Sequence, residues 1–406
     1  MRLVFVVAAS LAVFASSSAH SASNAPPPAH CNALSGVLAA QPGARAAFVR
    51  SYQPADSEAQ LPNGLASSAF VYDNALAVIA LVACGQLEQA IVIGNALGAA
   101  VRGDRSFSDG RVRNAYRAGP VGEGAVALPG WWDSRQNIWA EDAAQDGSST
   151  GNVAWAALAL LTLHQATGDV AFLDGARRLA DWILAAVSTG EGFSGGLHGY
   201  DPDQVKLTWI STEHNVDVYA VMRWLFRLSG DQKYGDAADQ AAHFLHRTFD
   251  KDHFLLGTKP DGSRADSARL ALDVQLWPWM AMPDAPAAWR SALHFAEAHL
   301  AVDGGFDFDG DRDGVWVEGT AQAALAYRIA GNFNRSEQLL NGLQGDRAPS
   351  GLLYATRSER LSTGLSIDPT KAVADLFYFK RPHLGATAWA ALAAMGWNPF
   401  VGKKVD

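Results

Sequence analysis

The chain has 406 residues, of which 49% are hydrophobic and 18% are charged. This composition suits a large apolar core and excludes disorder for all but the ends. Its 41 acidic residues outnumber its 32 basic residues, which gives a formal net charge of −9, so neither nucleic acid nor an anionic membrane is expected as a partner.

The N-terminus has the pattern of an export signal. Arg2 supplies a positive charge, 3–14 form an apolar stretch too short to span a bilayer, and small residues at 17–19 offer a cleavage site. We predict a signal peptide at 1–19, a disordered tether at 20–33 and one folded domain at 34–402. The protein is therefore expected to be exported, either periplasmic or secreted, with no membrane anchor after cleavage.

Cys31 and Cys84 are the only cysteines. In an oxidising compartment one pair permits one disulfide, which would tie the N-terminal segment to the end of the first apolar helix. Two buried free thiols are the alternative.

An Ala-rich apolar helical run recurs along the chain, and most copies lead through a short turn into an amphipathic helix. The clearest copies begin near Tyr72, Thr150, Ser211, Glu318 and His383. A sixth run, at 267–282, contains Pro278 and is expected to be short or kinked. Amphipathic candidates lie at 35–52, 87–101, 170–187, 233–249, 286–300 and 335–343.

The contrast between the two kinds of helix predicts two concentric layers. A helix that is apolar on every side must be surrounded by other helices, whereas a helix with one apolar stripe can lie outside. We therefore predict an all-α fold of six inner and six outer helices, with the N-terminal helix closing the ring. Turns from inner to outer helices are short, and the return connections are long, so the polar starts of the inner helices should converge on one funnel.

The segments YDNAL, TGN, TEHNVD, VEGTAQ and HLGATAW, which open the inner helices, complete a pattern that resembles the (α/α)6 toroid of six-hairpin glycosidases and related carbohydrate enzymes. The resemblance covers essentially the whole mature chain. It implies a single-domain (α/α)6 barrel and a carbohydrate-active enzyme whose funnel-shaped site is lined by acids and aromatic residues.

Glycoside hydrolysis needs one protonated and one ionised carboxyl group. We take Glu213 as the general acid and Asp73 as the base, with Glu318 as the replacement for either. Each stands at the start of an inner helix, where an acid that caps the helix or stabilises its dipole is the alternative. Further candidates for substrate binding are Tyr72, Asn74, Asn152, His214, Asn215, Asp217 and His383.

Flat aromatic faces bind the apolar faces of sugar rings. Trp131, Trp132 and Trp139 share one long polar loop, and Trp209 and Trp316 precede the third and fifth inner helices. We expect at least one sugar platform among them, and core packing is the alternative.

Asp309, Asp311 and Asp313 have the spacing of a calcium loop, although Thr320 stands where the bidentate glutamate belongs. A solvated acidic turn is the alternative. No other cofactor is expected, because the sequence has no Gly-rich phosphate loop and no clustered Cys/His spacing.

The sequence favours an exported glycoside hydrolase acting on an oligo- or polysaccharide. One alternative is a polysaccharide lyase, in which His214 or Tyr219 would abstract a proton and Asn215 would neutralise a uronate; acidic rim motifs argue against it. The other is a non-catalytic carbohydrate-binding envelope protein. The sugar, its linkage, the stereochemical outcome and the oligomeric state are left open.

Overall fold

The computed structural model describes residues 28–39, 43–54, 61–368, 370–371 and 373–405. The predicted signal peptide and the tether up to residue 27 lie outside the described residues. In these ranges the chain forms the following α-helices: α1 Ala29–Ala39, α2 Val71–Ala83, α3 Leu87–Arg102, α4 Ala143–Asp146, α5 Thr150–Thr167, α6 Val170–Trp182, α7 Thr212–Ser229, α8 Gln232–Thr248, α9 Leu272–Ala281, α10 Ser291–His299, α11 Val317–Ile329, α12 Phe333–Gly342 and α13 Leu384–Met395.

Six helices form a closed inner ring. The helices α2, α5, α7, α9, α11 and α13 pack against one another in that order, and α13 packs back against α2. Outside them lie α3, α6, α8, α10, α12 and α1, the last of which packs on α13 and α2. The predicted (α/α)6 barrel with the N-terminal helix closing the ring is therefore confirmed.

The two layers follow from the sequence of each helix. Helix α5 is buried on every side from Val153 to Leu163, as a helix inside a ring must be. Helix α8 buries one stripe, with Tyr234, Ala237, Ala241 and Phe244 spaced three or four residues apart. Hairpins α5–α6 and α7–α8 turn at glycines with left-handed backbone conformations, such as Gly230 with φ 67°, where a side chain would be strained.

The connections into the inner helices, and the segment after α13, carry short antiparallel strands, a detail that the all-α prediction omits. The strands are β1 Ala47–Phe48, β2 Ser68–Phe70, β3 Ala115–Arg117, β4 Gly119–Pro120, β5 Trp131–Asp133, β6 Ile138–Ala140, β7 Ser148–Ser149, β8 Ser194–His198, β9 Val205–Ile210, β10 Phe249–Asp250, β11 His253–Phe254, β12 Ala301–Val302, β13 Gly305–Phe306, β14 Arg360–Ser362, β15 Phe377–Phe379, β16 Trp397–Asn398 and β17 Lys403–Lys404. They pair as β1–β4, β2–β3, β5–β6, β7–β8–β9, β10–β11, β12–β13, β14–β15 and β16–β17. Strands β2, β7 and β9 lead directly into inner helices and so fix where those helices begin.

The N-terminal helix differs from its predicted bounds of 35–52. It begins at Ala29, so 29–33 are helical rather than part of a tether, and it ends at Ala39. Gly43 then has φ 79°, and 47–48 form β1 against β4, which is incompatible with a continuing helix. Cys31 in α1 and Cys84 at the end of α2 form a disulfide with their Cα atoms 5.8 Å apart.

Pro278 lies inside α9, which is ten residues long and the shortest inner helix, as predicted.

Within the described ranges, no helix combines the length and the apolar character that crossing a bilayer requires.

Candidate active site

The axis of the ring is lined by residues at two levels of the inner helices. The second residue of each inner helix forms the upper level: Tyr72, Gly151, Glu213, Asp273, Glu318 and Gly385. Four positions later, on the same helix face, five of the six helices place a large or polar side chain: Trp155, Asp217, Trp277, Gln322 and Trp389.

Contacts between helices that are not neighbours show that the lower level fills the axis. The Trp155 ring lies 5.5 Å from Trp277 and 5.9 Å from Trp389, measured between centroids. Trp277 also donates a 3.0 Å hydrogen bond to Gln322 Oε1. These indoles form an apolar floor beneath the carboxyl groups of the upper level.

Glu318 is fully buried and held in one orientation. The Tyr72 hydroxyl donates to Glu318 Oε1 at 2.7 Å and itself accepts from Trp389 Nε1 at 2.9 Å. Glu318 Oε2 is also buried and has no hydrogen bond from the described residues. Burial raises the pKa of Glu318 to about 7; His383 lowers it, and the Asp73 charge raises it further.

Asp73 and His383 lie beside Glu318. A carboxylate oxygen of each acid and a ring nitrogen of His383 all lie within 4.8 Å of one another. His383 Nδ1 accepts the Ala386 N–H at 3.2 Å, and Nε2 lies 3.5 Å from Asp73 Oδ2. Burial lowers the pKa of His383, but the neighbouring Asp73 and then Glu318 raise it, and the net shift is upward. Gly385 makes room here, since a Cβ would overlap Asp73 Oδ1.

Glu213 brings a second group of acids to the axis from α7. Burial, followed by the charges of Asp273 and Glu318, raises the pKa of Glu213 well above its ordinary value. Burial likewise raises the pKa of Asp273 to about 7. One helical turn further along α7, burial and then the charges of Glu213 and Asp273 raise the pKa of Asp217 well above its ordinary value. The Trp155 indole lowers this pKa and so offsets part of the rise. Of these three acids, only Glu213 is partly exposed.

His214 follows Glu213 and lies at the edge of the cluster. Its ring centroid is 5.5 Å from that of Trp209, and burial lowers the pKa of His214 to about 4. The side chain abuts Gly151, where an added Cβ would lie 2.7 Å from His214 Cδ2. His214 is therefore neutral at physiological pH and forms, with Trp209, a wall next to Glu213.

The structure places Asn74 and Asn215 in the scaffold rather than at the axis. Each is the fourth residue of an inner helix and is fully buried. Asn74 accepts from the Val49 N–H and donates to the Val49 and Phe70 carbonyls; Asn215 pairs in the same way with Phe193. The fourth residues of three further inner helices also bind backbone groups of the preceding strand or loop: Gln275, Thr320 and Thr387.

The predicted aromatic platforms have different positions. Trp132 and Trp139 face each other across the β5–β6 hairpin and are 56% and 47% exposed, while Trp131 is partly buried in the same hairpin. Trp316 is fully buried against Phe308, 4.8 Å away between ring centroids. It therefore supports the site from behind.

Asn152 donates to Asn114 Oδ1 at 2.7 Å, and Asn114 directly precedes β3. Of the predicted calcium ligands, Asp309 and Asp311 have carboxylate oxygens within 4.8 Å of each other and of Asp307. Asp313 is not part of this group, and its Oδ2 accepts the Ser362 N–H at 2.9 Å.

Three site residues escape the sequence analysis. Asp273 occupies the same second position as Glu213 and Glu318, so an alignment of the inner helix starts identifies it. Tyr52 and Tyr378 come from the connections, with ring centroids 4.7 and 5.9 Å from that of His383. No local pattern marks these two tyrosines, because only the tertiary fold brings them to the site.

No protein-family model matches the sequence, and no curated protein matches it. Solved structures do match over 90% of the chain. A glycosidase variant in complex with glucose has a TM-score of 0.62, 13% identity and 95% of its own chain covered. A GH76 alpha-mannanase from Bacteroides thetaiotaomicron has a TM-score of 0.55 and 14% identity, with 94% of its own chain covered. A cellobiose 2-epimerase from Bacillus thermoamylovorans has a TM-score of 0.61 and 10% identity, with 98% of its own chain covered. At these identities the likeness shows the fold, the (α/α)6 toroid.

Proposed function

We propose that this (α/α)6 toroid is an exported glycoside hydrolase that cleaves a neutral oligo- or polysaccharide by general acid/base catalysis, with Glu213 as the acid and Glu318 as the base. The observation that carries the proposal is that these two carboxyl groups occupy the same upper level of the ring and interact electrostatically there. Their surroundings raise the pKa of both, as such catalysts require near neutral pH.

Glu213 suits the acid role because it is the partly exposed member of its acidic group and retains its proton well above the ordinary pKa of a glutamate. It would donate that proton to the glycosidic oxygen as the bond to the anomeric carbon breaks. The partly exposed Trp209 ring, next to His214, offers a flat face for a sugar ring.

Glu318 suits the base role because its two oxygens differ. Oε1 accepts from Tyr72, whereas Oε2 has no hydrogen bond from the described residues and would accept a proton from the water that attacks the anomeric carbon. The sequence favours Asp73 for this role. We instead assign Asp73 a positioning role, because it lies against His383 and its charge raises the pKa of Glu318.

The geometry favours hydrolysis over β-elimination. A lyase would use Asn215 to neutralise a uronate, but the Asn215 amide is buried and bonded to backbone. In the described part of the chain, no Lys or Arg forms an ion pair with Asp73, Glu213, Asp217, Asp273 or Glu318. A site with this surplus of acids disfavours a polyanionic substrate.

Two further observations support the proposal. The glycosidase neighbour is described in complex with glucose and another neighbour is a mannanase, which favours a neutral hexose glycan. The Cys31–Cys84 disulfide is typical of proteins that reach an oxidising compartment, which supports export.

The test is digestion of a panel of neutral and uronate glycans by the purified mature protein, with Glu213→Gln and the exposed-residue control Glu337→Gln. New reducing ends from a neutral glycan, lost in Glu213→Gln and kept in Glu337→Gln, would support the proposal. Ultraviolet absorbance of an unsaturated uronate would establish a lyase instead. Isomerised sugar without new reducing ends would establish an epimerase, and binding without turnover would establish a carbohydrate-binding protein.

A further inference from the structure

An acidic turn at 307–313 lies between β13 and α11, outside the carboxyl groups of the axis. Asp307, Asp309 and Asp311 each place a carboxylate oxygen within 4.8 Å of the other two. The backbone reverses at Arg312, which has φ 58°. Gly364 closes over the cluster, because a Cβ at Gly364 would overlap Asp309 Oδ2. Three carboxyl groups therefore lie close together, with Asp307 buried, Asp309 partly buried and Asp311 exposed.

Asp307 is the independent indication that this cluster takes a ligand. Its side chain is fully buried, and Oδ1 accepts the Phe308 N–H at 2.7 Å. Oδ2 is buried and has no hydrogen bond of normal geometry from the described residues, although the Gly314 N–H approaches the Asp307 carboxylate. A buried carboxylate oxygen that lacks a full hydrogen bond is costly, and the two neighbouring carboxylates add repulsion. A bound cation would remove both penalties.

We propose that Asp307, Asp309 and Asp311 bind a hard divalent cation of the Ca²⁺ class. Carboxylate oxygens are the preferred ligands of Ca²⁺, which completes its coordination with backbone carbonyls and water. The proposed site contains Asp307 instead of Asp313, which the sequence predicts as a ligand. Asp313 instead fastens the turn to β14 through the Ser362 N–H.

The proposed cation has a structural consequence for the active site. Phe308, next to Asp307, packs on Trp316 at 4.8 Å between ring centroids. Trp316 packs on Tyr378 at 5.5 Å, and Tyr378 lies 5.9 Å from His383. Binding at the turn would thus order one wall of the site without contacting substrate, so its action on catalysis is one of positioning.

The test is calorimetric titration of the chelator-treated mature protein with Ca²⁺, together with Tb³⁺ luminescence. Wild type is expected to bind one Ca²⁺ per chain and to gain at least about 2 °C in Tm with excess Ca²⁺. Asp309→Asn and Asp311→Asn are expected to weaken binding at least about 10-fold. Asp203→Asn, an exposed aspartate elsewhere, is expected to bind as wild type.

Two results would overturn the proposal: absence of Ca²⁺ binding to the wild type, or equal binding by wild type and both cluster variants. Asp311 is exposed, so Asp311→Asn is expected to fold even where Asp309→Asn does not. The binding measurement needs no substrate, and its outcome is therefore separate from that of the proposed hydrolase activity.

Discussion

The Tyr72 hydroxyl donates a 2.7 Å hydrogen bond to Glu318 Oε1 and joins two inner helices that are 246 residues apart in the chain. Trp389 Nε1 donates to the same hydroxyl oxygen, which fixes the direction of the Tyr72 proton. Glu318 is thereby oriented with Oε1 hydrogen-bonded and Oε2 free of hydrogen bonds from the described residues, an arrangement that suits a base acting through one oxygen.

This hydrogen bond predicts a shift in the pH dependence of Tyr72→Phe. The Tyr72 hydroxyl lowers the pKa of Glu318, so its removal raises that pKa above about 7. Because the base must be ionised, the acidic limb of the kcat/KM profile moves to higher pH, and activity near pH 6 falls about 10-fold. Tyr200→Phe, at an exposed tyrosine, is the control. An unchanged acidic limb in Tyr72→Phe would contradict the assignment of Glu318.

Gly385 is predicted to be essential for the carboxyl geometry. A Cβ there would overlap Asp73 Oδ1 and lie 2.8 Å from Glu318 Oε2, so Gly385→Ala must displace both acids. We expect a loss in kcat/KM of about 100-fold or more. Gly345→Ala, where a Cβ meets nothing within 4 Å, should retain activity. Steady-state kinetics of the two variants decides, and near-normal activity in Gly385→Ala would disprove this account of the site.

Asp217→Asn is predicted to stabilise the protein at neutral pH. The pKa of Asp217 is raised in the folded protein, so the native state holds its proton more tightly than the unfolded chain. The free energy of unfolding therefore falls as pH rises above the ordinary aspartate pKa of about 4, until the folded pKa is passed. An asparagine at this position does not ionise, so the free energy of unfolding of Asp217→Asn does not fall in this way as pH rises.

Thermal unfolding at several pH values tests this. The Tm of Asp217→Asn should match wild type near pH 4 and exceed it by about 1–2 °C or more near pH 7. Asp203→Asn should show no such pH-dependent difference. A variant that is destabilised more near pH 7 than near pH 4 would show that favourable contacts hold Asp217 in its ionised form, and would contradict the prediction.

The disulfide closes a loop with a sequence separation of 53 residues and predicts a stability loss on its removal. The double variant Cys31→Ser and Cys84→Ser should lower the free energy of unfolding by about 2–4 kcal/mol, measured by denaturant titration. Reducing agent should destabilise the wild type and leave the variant unchanged. Equal sensitivity of both proteins to the reducing agent would argue against this contribution.

The ring could be predicted from the sequence because the inner helices are apolar on every side, whereas the outer helices have one apolar stripe. The repeat of polar helix starts also located Glu213 and Glu318, which share one register. Asn74 and Asn215 have the same kind of sequence context, yet they bind backbone. A polar residue at a helix start does not reveal which way it faces until the preceding strand is placed.

Other parts of the site depend on contacts that are distant in sequence. Asp273 stands at the start of the short helix that contains Pro278, where the repeat is weakest. Tyr52 and Tyr378 reach His383 from separate connections. The acidic turn shows the same limit, since its spacing favours Asp313 whereas the folded turn uses Asp307.

The most direct test of the central claim compares kcat/KM of Glu213→Gln and wild type on the glycan that the wild type cleaves and on the matching glycosyl fluoride. Fluoride leaves without protonation, so only the glycan needs a general acid. We predict a loss of about 1,000-fold or more on the glycan and of less than about 10-fold on the fluoride. Equal losses on both substrates, or retained activity on the glycan, would contradict the role of Glu213 as the acid.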